Sequence, residues 1–475
     1  MGSELDWRGL HPLSVAVNLI PRAWRVLRSL WWLIVAAVVG RGGGSLFDVA
    51  VVSLFFVFAL GSTLVHYWTL RYRVHDGRLE IVVGLLDRSV RTIAPDRVQN
   101  VERVQNIFQR AFGLVEVRVD TAGGPGVEGL LSALSVEEAD RLIEALAAAR
   151  PVAAVASADE VLVETSFADL LRVGVTAGRP GVAFVVFGVA LQAFDILGWR
   201  EELRPPVMIA VGAAALIGGW LLGIVNVFLT NWRFRLARRA AGLYAEQGLF
   251  TRRQIDLRVD KVQSVAIVEP LLHRWLGFGS LRIETAAVAA TEGRLAMAEA
   301  IVPAMDTAHL RTLAHEVLPI APDLDDLEPA DPRAFPSVVA SGLLRALGSV
   351  VVAVFLFRLW GLFALVLVPL VWVDARLDLG AQGVRITEDA VVVRRGFWRR
   401  WTVVLPRRKI QSVQAVEGPL LRLLGLSVVV LRVAGTAVAL PAMSREAATD
   451  TLDALARPGH ITPPADAGDG ATRLG

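Results

Sequence analysis

The sequence contains no cysteine among its 475 residues. Disulfides, thiolate metal sites and thiol nucleophiles are therefore all excluded, and reducing surroundings fit the parts outside a membrane. Lysine is nearly missing as well. Lys261 and Lys409 are the only two, and neither follows a glycine, so there is no Gly-x-x-x-x-Gly-Lys phosphate loop. Of the seven histidines, His309 and His315 are six apart and do not build a His-Glu-x-x-His helix face. No Gly-x-Ser-x-Gly nucleophile elbow occurs. Charge is scarce, at 20% of residues against about 25% in soluble proteins. The 49 basic and 46 acidic residues leave a net charge of +3, too balanced to argue for nucleic acid. With no catalytic constellation, cofactor motif or metal-ligand set, the chain reads as a non-enzyme.

What the sequence does hold is apolar: 54% of residues are hydrophobic and the mean hydropathy is +0.52. The length fits roughly three domains. Six apolar stretches come in three pairs, 23–40 with 46–67, 181–197 with 207–229, and 338–357 with 359–373. A membrane-spanning helix needs about 20 mostly apolar residues. The second, fourth and fifth stretches meet that, and the shorter ones rely on their flanks. Trp68, Trp232 and Trp372 close the three pairs, where an indole sits well at headgroup level. Arginines crowd the outer ends of the pairs: Arg22, Arg25, Arg28, Arg71, Arg73, Arg172, Arg179, Arg233, Arg235, Arg238 and Arg239. The positive-inside bias then places the N-terminus and the large segments in the cytosol. The N-terminal stretch lacks the layout of a cleaved signal peptide, so the first helix is expected to stay. Arg345 falls inside the fifth stretch, either snorkelling to the headgroups or serving as a buried functional charge.

After each pair comes one copy of a repeat. The copies align on Gly84, Gly248 and Gly396, then Gln99, Gln263 and Gln411 fifteen residues on, then Gly113, Gly277 and Gly425 fourteen further. Three more columns fall between: Val101/Val265/Val413, Val104/Val268/Val416 and Arg110/Arg274/Arg422. Arg97, Lys261 and Lys409 form another, so both lysines share one repeat position. Alternating runs at 89–93, 254–259 and 401–405 read as half-buried strands. So do the runs 79–83 and 391–393 before the first glycine, a turn residue suited to positive φ. A short helical turn (106–112, 270–276, 419–424) ends at the second glycine as a C-cap. Strands at 115–119, 281–285 and 428–433 follow. Each copy closes with a helix capped by Ser135, Asp306 or Ser444.

This Gly-x14-Gln-Ser/Asn-Val pattern behind a transmembrane pair resembles the bacterial pleckstrin-homology (PH)-like domain family. The arrangement of three units resembles its YdbT-type membrane proteins, including the stretch Leu10-His11-Pro12-Leu13-Ser14 before the first helix. The resemblance covers residues 8–457 and implies a PH-like fold, a two-sheet β structure capped by a helix. The expected fold is thus a membrane α+β protein, six transmembrane helices in three hairpins, each followed by a cytosolic PH-like β domain with a C-terminal helix. The expected order is an N-terminal arm and hairpin 1 (1–67), PH-like domain 1 (68–150), a linker and hairpin 2 (151–229) and PH-like domain 2 (230–318). An acidic Pro-rich linker with hairpin 3 (319–373), PH-like domain 3 (374–457) and a disordered tail (458–475) follow.

The sequence supports two functional classes. A non-enzymatic scaffold in the bacterial cytoplasmic membrane presents its modules to a protein partner or to lipid headgroups, using exposed sheet edges. The resemblance points to a single-unit PH-like membrane protein as partner, and to envelope stress or antimicrobial tolerance as setting. The alternative is a lipid-handling or transport protein, for which the mid-membrane polar set (Arg345, Gln192, Asn226) is thin. The repeated glutamine either bonds backbone locally or touches a peptide or lipid. The Arg97/Lys261/Lys409 column either faces anionic headgroups or is plainly solvated. Asp323, Asp325, Asp326 and Glu328 read as a solvated acidic linker or a divalent-ion cluster.

Overall fold

The computed structural model describes residues 7–10, 61, 68–148 (except 77, 85–87, 96 and 122–128), 160–176, 188, 198, 205–357 (except 240–241, 286–299 and 321–322), 362 and 365–456 (except 435). These residues fall into two compact units, drawn from 1–161 with 229–258 and from 162–228 with 259–475.

The first repeat begins with β1 (Arg8–Gly9), β2 (Arg71–His75), β3 (Arg78–Val83) and β4 (Ser89–Ile93). These pair antiparallel in chain order. Then come β5 (Val98–Gln105), a short α1 (Ile107–Ala111), β6 (Leu114–Thr121), β7 (Gly129–Ser135) and α2 (Val136–Ala148). Tyr72, Leu79, Val117 and Leu131 share one core with Leu142 and Leu146 of α2, so the helix plugs the space between the two sheets. Ser135 caps it as its sequence requires: its Oγ accepts from Glu138 N and its N donates to the Glu138 carboxylate.

The second repeat follows with β8 (Glu160–Glu164), α3 (Phe167–Thr176), α4 (Pro205–Asn231), β9 (Arg235–Arg239), β10 (Gly242–Gln247) and β11 (Arg252–Leu257). Its later part is β12 (Val262–Pro270), α5 (Leu271–Trp275), β13 (Phe278–Thr285), β14 (Ala300–Asp306) and α6 (Thr307–Val317). The third holds β15 (Glu328–Pro329), α7 (Phe335–Phe357), α8 (Leu367–Ala381), β16 (Gly383–Ile386), β17 (Ala390–Arg395) and β18 (Arg399–Pro406). It ends with β19 (Ile410–Val416), α9 (Pro419–Leu423), β20 (Leu426–Val433), β21 (Thr436–Ala439), β22 (Met443–Ser444) and α10 (Arg445–Ala456). Val391, Val393, Leu431 and Leu455 repeat the first core in this copy.

The sheets do not stop at repeat boundaries. One runs β7-β6-β5-β11-β10-β9, joining the second half of repeat 1 to the first half of repeat 2. Another runs β14-β13-β12-β18-β17-β16-β15, joining repeat 2 to repeat 3 in the same way. The last is β19-β20-β21, with β22 also on β20. The acidic stretch before α7 is docked rather than loose: β15 pairs with β16, Asp326 binds Arg385 at 2.5 Å, and Asp325 binds Arg311.

Two described stretches, Ile209–Asn231 and Pro332–Val352, are long and apolar enough to cross a membrane. Their apolar side chains stay uncovered, Ile209, Leu216 and Leu222 on α4 and Leu344 and Val351 on α7. The expected stretches 23–40, 46–67 apart from Gly61, and 181–197 apart from Gly188 lie outside the described residues. The sixth, expected over 359–373, takes another form: α8 begins at Leu367 and continues through Asp374, Arg376 and Asp378 to Ala381. These polar residues are tolerable helix formers, so the helix runs on beyond the apolar run, and at 15 residues α8 alone is short of a span. Two helices of spanning length and apolarity are thus present among the described residues. Gly342 lets α7 approach α8 closely, since a Cβ there would meet Val371 at 2.5 Å.

The first repeat glycine is a backbone requirement. Gly248 has φ +106°, and a Cβ would stand 2.0 Å from the Thr251 carbonyl oxygen. Gly113, at φ +63°, has open space around it, and asparagine tolerates that region. Gly248→Ala is therefore expected to cost roughly 2–3 kcal/mol and Gly113→Asn well under 1 kcal/mol, read as apparent Tm in detergent. Equal losses would refute the distinction.

Candidate functional site

The repeat columns have consistent structural positions. Gly84, Gly248 and Gly396 all have positive φ, as do Gly113, Gly277 and Gly425. The second set follows the short helices α1, α5 and α9, and each glycine N–H bonds back to the arginine of the preceding column: Arg110, Arg274 or Arg422. Gln99, Gln263 and Gln411 fall where the register of β5, β12 and β19 slips by a residue against the next strand. The glutamine is thus the extra residue of a β-bulge, a device that bends a strand. Gln263 Nε2 donates to the Lys261 carbonyl at 3.2 Å, while Gln411 is exposed. Of the basic column, Arg97 is exposed and Lys409 Nζ donates to the Asp260 carbonyl at 2.6 Å. Burial, with Arg408 and Lys261 close by, holds the Lys409 amine below the ordinary lysine range.

The two joints between repeats follow one rule. At the first, Arg252 faces Gln105, Gln254 faces Arg103 and Asp256 faces Val101. At the second, Arg400 faces Glu269, Thr402 faces Ile267 and Val404 faces Val265. Counted from the first glycine of each repeat, every facing pair sums to 25: Arg252 is 4 after Gly248 and Gln105 is 21 after Gly84; Arg400 is 4 after Gly396 and Glu269 is 21 after Gly248. Shifting by one residue would turn every side chain to the other face, so this agreement marks a specified joint.

The arginine column locks each joint. Arg110 Nη2 donates to the carbonyls of Leu249 (2.6 Å) and Phe250 (3.3 Å) in the following repeat. Arg274 Nη1 donates to the Phe397 carbonyl at 3.2 Å and lies 5.3 Å from that ring's centre. Leu271 N adds a bond to the Trp398 carbonyl at 2.8 Å. Sequence alignment found these arginines but not their job, because the carbonyls they reach belong to another copy. The third arginine, Arg422, stands 3.9 Å from Glu417 of its own repeat.

Charge inside the first joint is concentrated on buried Glu102. Arg253 reaches it across the joint at 2.6 Å and Arg118 from the adjacent strand at 3.5 Å. Such a pair holds two strands in one register, since removing either partner leaves a buried charge. Asp120 shares the cluster, and burial, reinforced by Glu102, pushes its carboxyl up from 3.8 to about 6. Among the described residues no group of three or more His, Asp or Glu side chains is placed to hold a metal ion. The chemistry on display is recognition of backbone by backbone.

Helix-plugged pairs of small sheets, repeated behind apolar helices, define a class of bacterial membrane-associated PH-like proteins, and the sequence comparisons agree. The bacterial PH domain model matches residues 23–150, 171–319 and 339–458, and the chain belongs to that family. It is similar to the transmembrane protein YdbT of Bacillus subtilis (strain 168), with 21% identity over 434 residues, 85% of this chain and 87% of that protein. No solved structure matches it.

The buried carboxyl generates a pH prediction. A folded-state pKa raised from 3.8 to about 6 favours the neutral acid, so Asp120 supports the fold at low pH. That support is lost as pH rises through about 4 to 6. Asp120→Asn should therefore raise stability at pH 8 by about 2–3 kcal/mol and leave it nearly unchanged at pH 4. Thermal unfolding at both pH values reads the difference, and the opposite pH trend would refute the assignment.

Proposed function

We propose that the protein is a non-enzymatic scaffold of the bacterial cytoplasmic membrane, multi-pass, with its three PH-like modules on the cytosolic side. The observation that carries this reading is an open strand, β19, whose residues 411–412 and 414–416 are exposed and which has no strand on one side among the described residues. An edge of this kind adds a strand from a partner. A single-unit PH-like membrane protein has the matching architecture, and presenting several modules on one chain raises avidity without tight single contacts. The charge pattern of the sequence and the uncovered apolar faces of α4 and α7 support the six-helix topology. Lys261, Arg408 and Lys409, close enough for their charges to interact, support contact with anionic headgroups. Each cation near such a surface contributes about 1 kcal/mol. Envelope stress or antimicrobial tolerance is the setting proposed with it, on the resemblance read from the sequence.

Two measurements test this. The chain has no native cysteine, so single cysteines replacing Glu144 or Asp453 report topology cleanly. An impermeant maleimide is expected to label them only after the membrane is opened, and labelling of intact cells would invert the topology. Purification in mild detergent is expected to recover a reproducible membrane partner. Recovery of none, with solute flux in proteoliposomes, would replace the scaffold by a transporter.

A further inference from the structure

The two internal joints use the same pair of strand types. β11 and β18, the counterparts of β4, pair with β5 and β12, the counterparts of β19. One strand of each type is left over. β4 ends the first sheet and β19 begins the last, and neither has a neighbour on its outer side in the described structure. We infer that β19 of one chain takes β4 of a second copy of this chain, repeating the internal joint between molecules. The inference rests on the scaffold reading above and puts a second copy, in place of a single-unit protein, at the β19 edge.

Exposure follows the pattern this requires. In the column Val104/Val268/Val416, the first two side chains are 7% and 2% exposed inside filled joints, and Val416 is 43% exposed. Asn100 and Ser264 are buried, while their counterpart Ser412 is exposed. On the other strand, Thr402 is buried in a joint and its counterpart Val90 is 58% exposed. The sequence keeps apolar or small side chains at positions that only a neighbouring strand would cover.

Register and charge agree as well. The sum of 25 from the first glycines places Thr92 opposite Val413, Val90 opposite Ala415 and Arg88 opposite Glu417. That last pair reproduces Arg400 opposite Glu269 in the second joint. Open edges are ordinarily guarded by charge, proline or a covering element. Ile410–Val416 (IQSVQAV) carries neither charge nor proline. Arg422 belongs to the column whose other members clasp the next repeat, and it reaches no carbonyl of another repeat among the described residues. A second copy is favoured over a different protein because this sequence itself carries the complementary strand in register. Such a contact uses different surfaces on the two molecules, so it builds open series or rings.

The test uses the full chain in its own membrane. Val90→Cys and Ala415→Cys are placed in two differently tagged copies, co-expressed and mildly oxidised. Facing residues of an antiparallel pair have Cα atoms about 4.5–5.5 Å apart, within disulfide reach. The expected result is a disulfide dimer carrying both tags. It should be lost when Gln414→Cys replaces Ala415→Cys, because that side chain points to the other face, and weakened several-fold by adding Arg88→Glu. Cysteine-free wild-type copies with the two tags should also co-purify, which guards against misfolded variants. No mixed dimer, equal dimer out of register, or a Val90→Cys/Ala415→Cys double variant that bridges only within one chain overturns the inference. A different membrane protein recovered without any mixed dimer overturns it while leaving the scaffold standing. Recovery of neither removes both.

Discussion

Backbone N–H and C=O groups at a sheet edge need partners, and sheets of three or four strands have much edge for their size. In this chain that need is met by the next copy of the same fold. β5 gives its free side to β11, and β12 gives its free side to β18. Each joint also buries apolar side chains from both strands, such as Val101 and Ile255 at the first and Val265 and Val404 at the second. Burial of a valine contributes about 1.5–3 kcal/mol, so the joints support the repeats and do more than connect them. The bulge at the glutamine column and the arginine clasp serve the same contact, one by bending the donor strand and the other by fixing the following turn.

This pairing gives the second repeat an unusual standing. Its first sheet, β9 to β11, belongs to one compact unit, and its second, β12 to β14, belongs to the other. A repeat is therefore the unit of sequence, whereas the unit of packing is half of one copy joined to half of the next. Solenoid proteins share this logic: the energy lies in the interfaces between neighbours, and the terminal copies are the exceptional ones. Here the terminal exceptions are β4 and β19, whose outer sides are open among the described residues.

Much of the local structure was legible in the sequence because it rests on local rules. Positive φ at Gly84, Gly248 and Gly396, the C-cap glycines, and the caps at Ser135, Asp306 and Ser444 each depend on a few adjacent residues. The run 89–93 became β4 with the expected bounds, but only Ile93 of it is buried, so the alternation that suggested a half-buried strand marked the strand without marking its burial. The joints were not legible. Val104 and Val268 look in sequence like core residues of their own domain, and nothing local states that the strand beside them lies about 150 residues further on, as Arg253 does from Glu102. The repeated arginine was likewise visible as a column and silent as to its partner. The acidic stretch at 323–328 read as solvated linker because its partners Arg311, Arg385 and Arg394 are brought to it only by folding.

The same physics explains why an open β19 is tolerable here and would be hazardous elsewhere. An uncharged, proline-free edge on a freely diffusing protein pairs with any extended chain it meets. Two features narrow the choice for this edge. The bulge at Gln411 sets its bend, and Glu417 at its end is held by Arg445 and Ser427, which keeps the carboxylate at about 2, below the usual carboxylate range. A carboxylate that stays ionised at every physiological pH rewards a strand arriving with a cation at the facing position and disfavours one arriving with an anion or out of register. The internal joints show the two forms this takes: the second sets Glu269 directly against Arg400, and the first joins Glu102 to Arg253 diagonally, two pairs apart along the strands. Specificity at these edges is therefore carried by where one charge stands along the strand, while the backbone supplies affinity that is common to every β pairing.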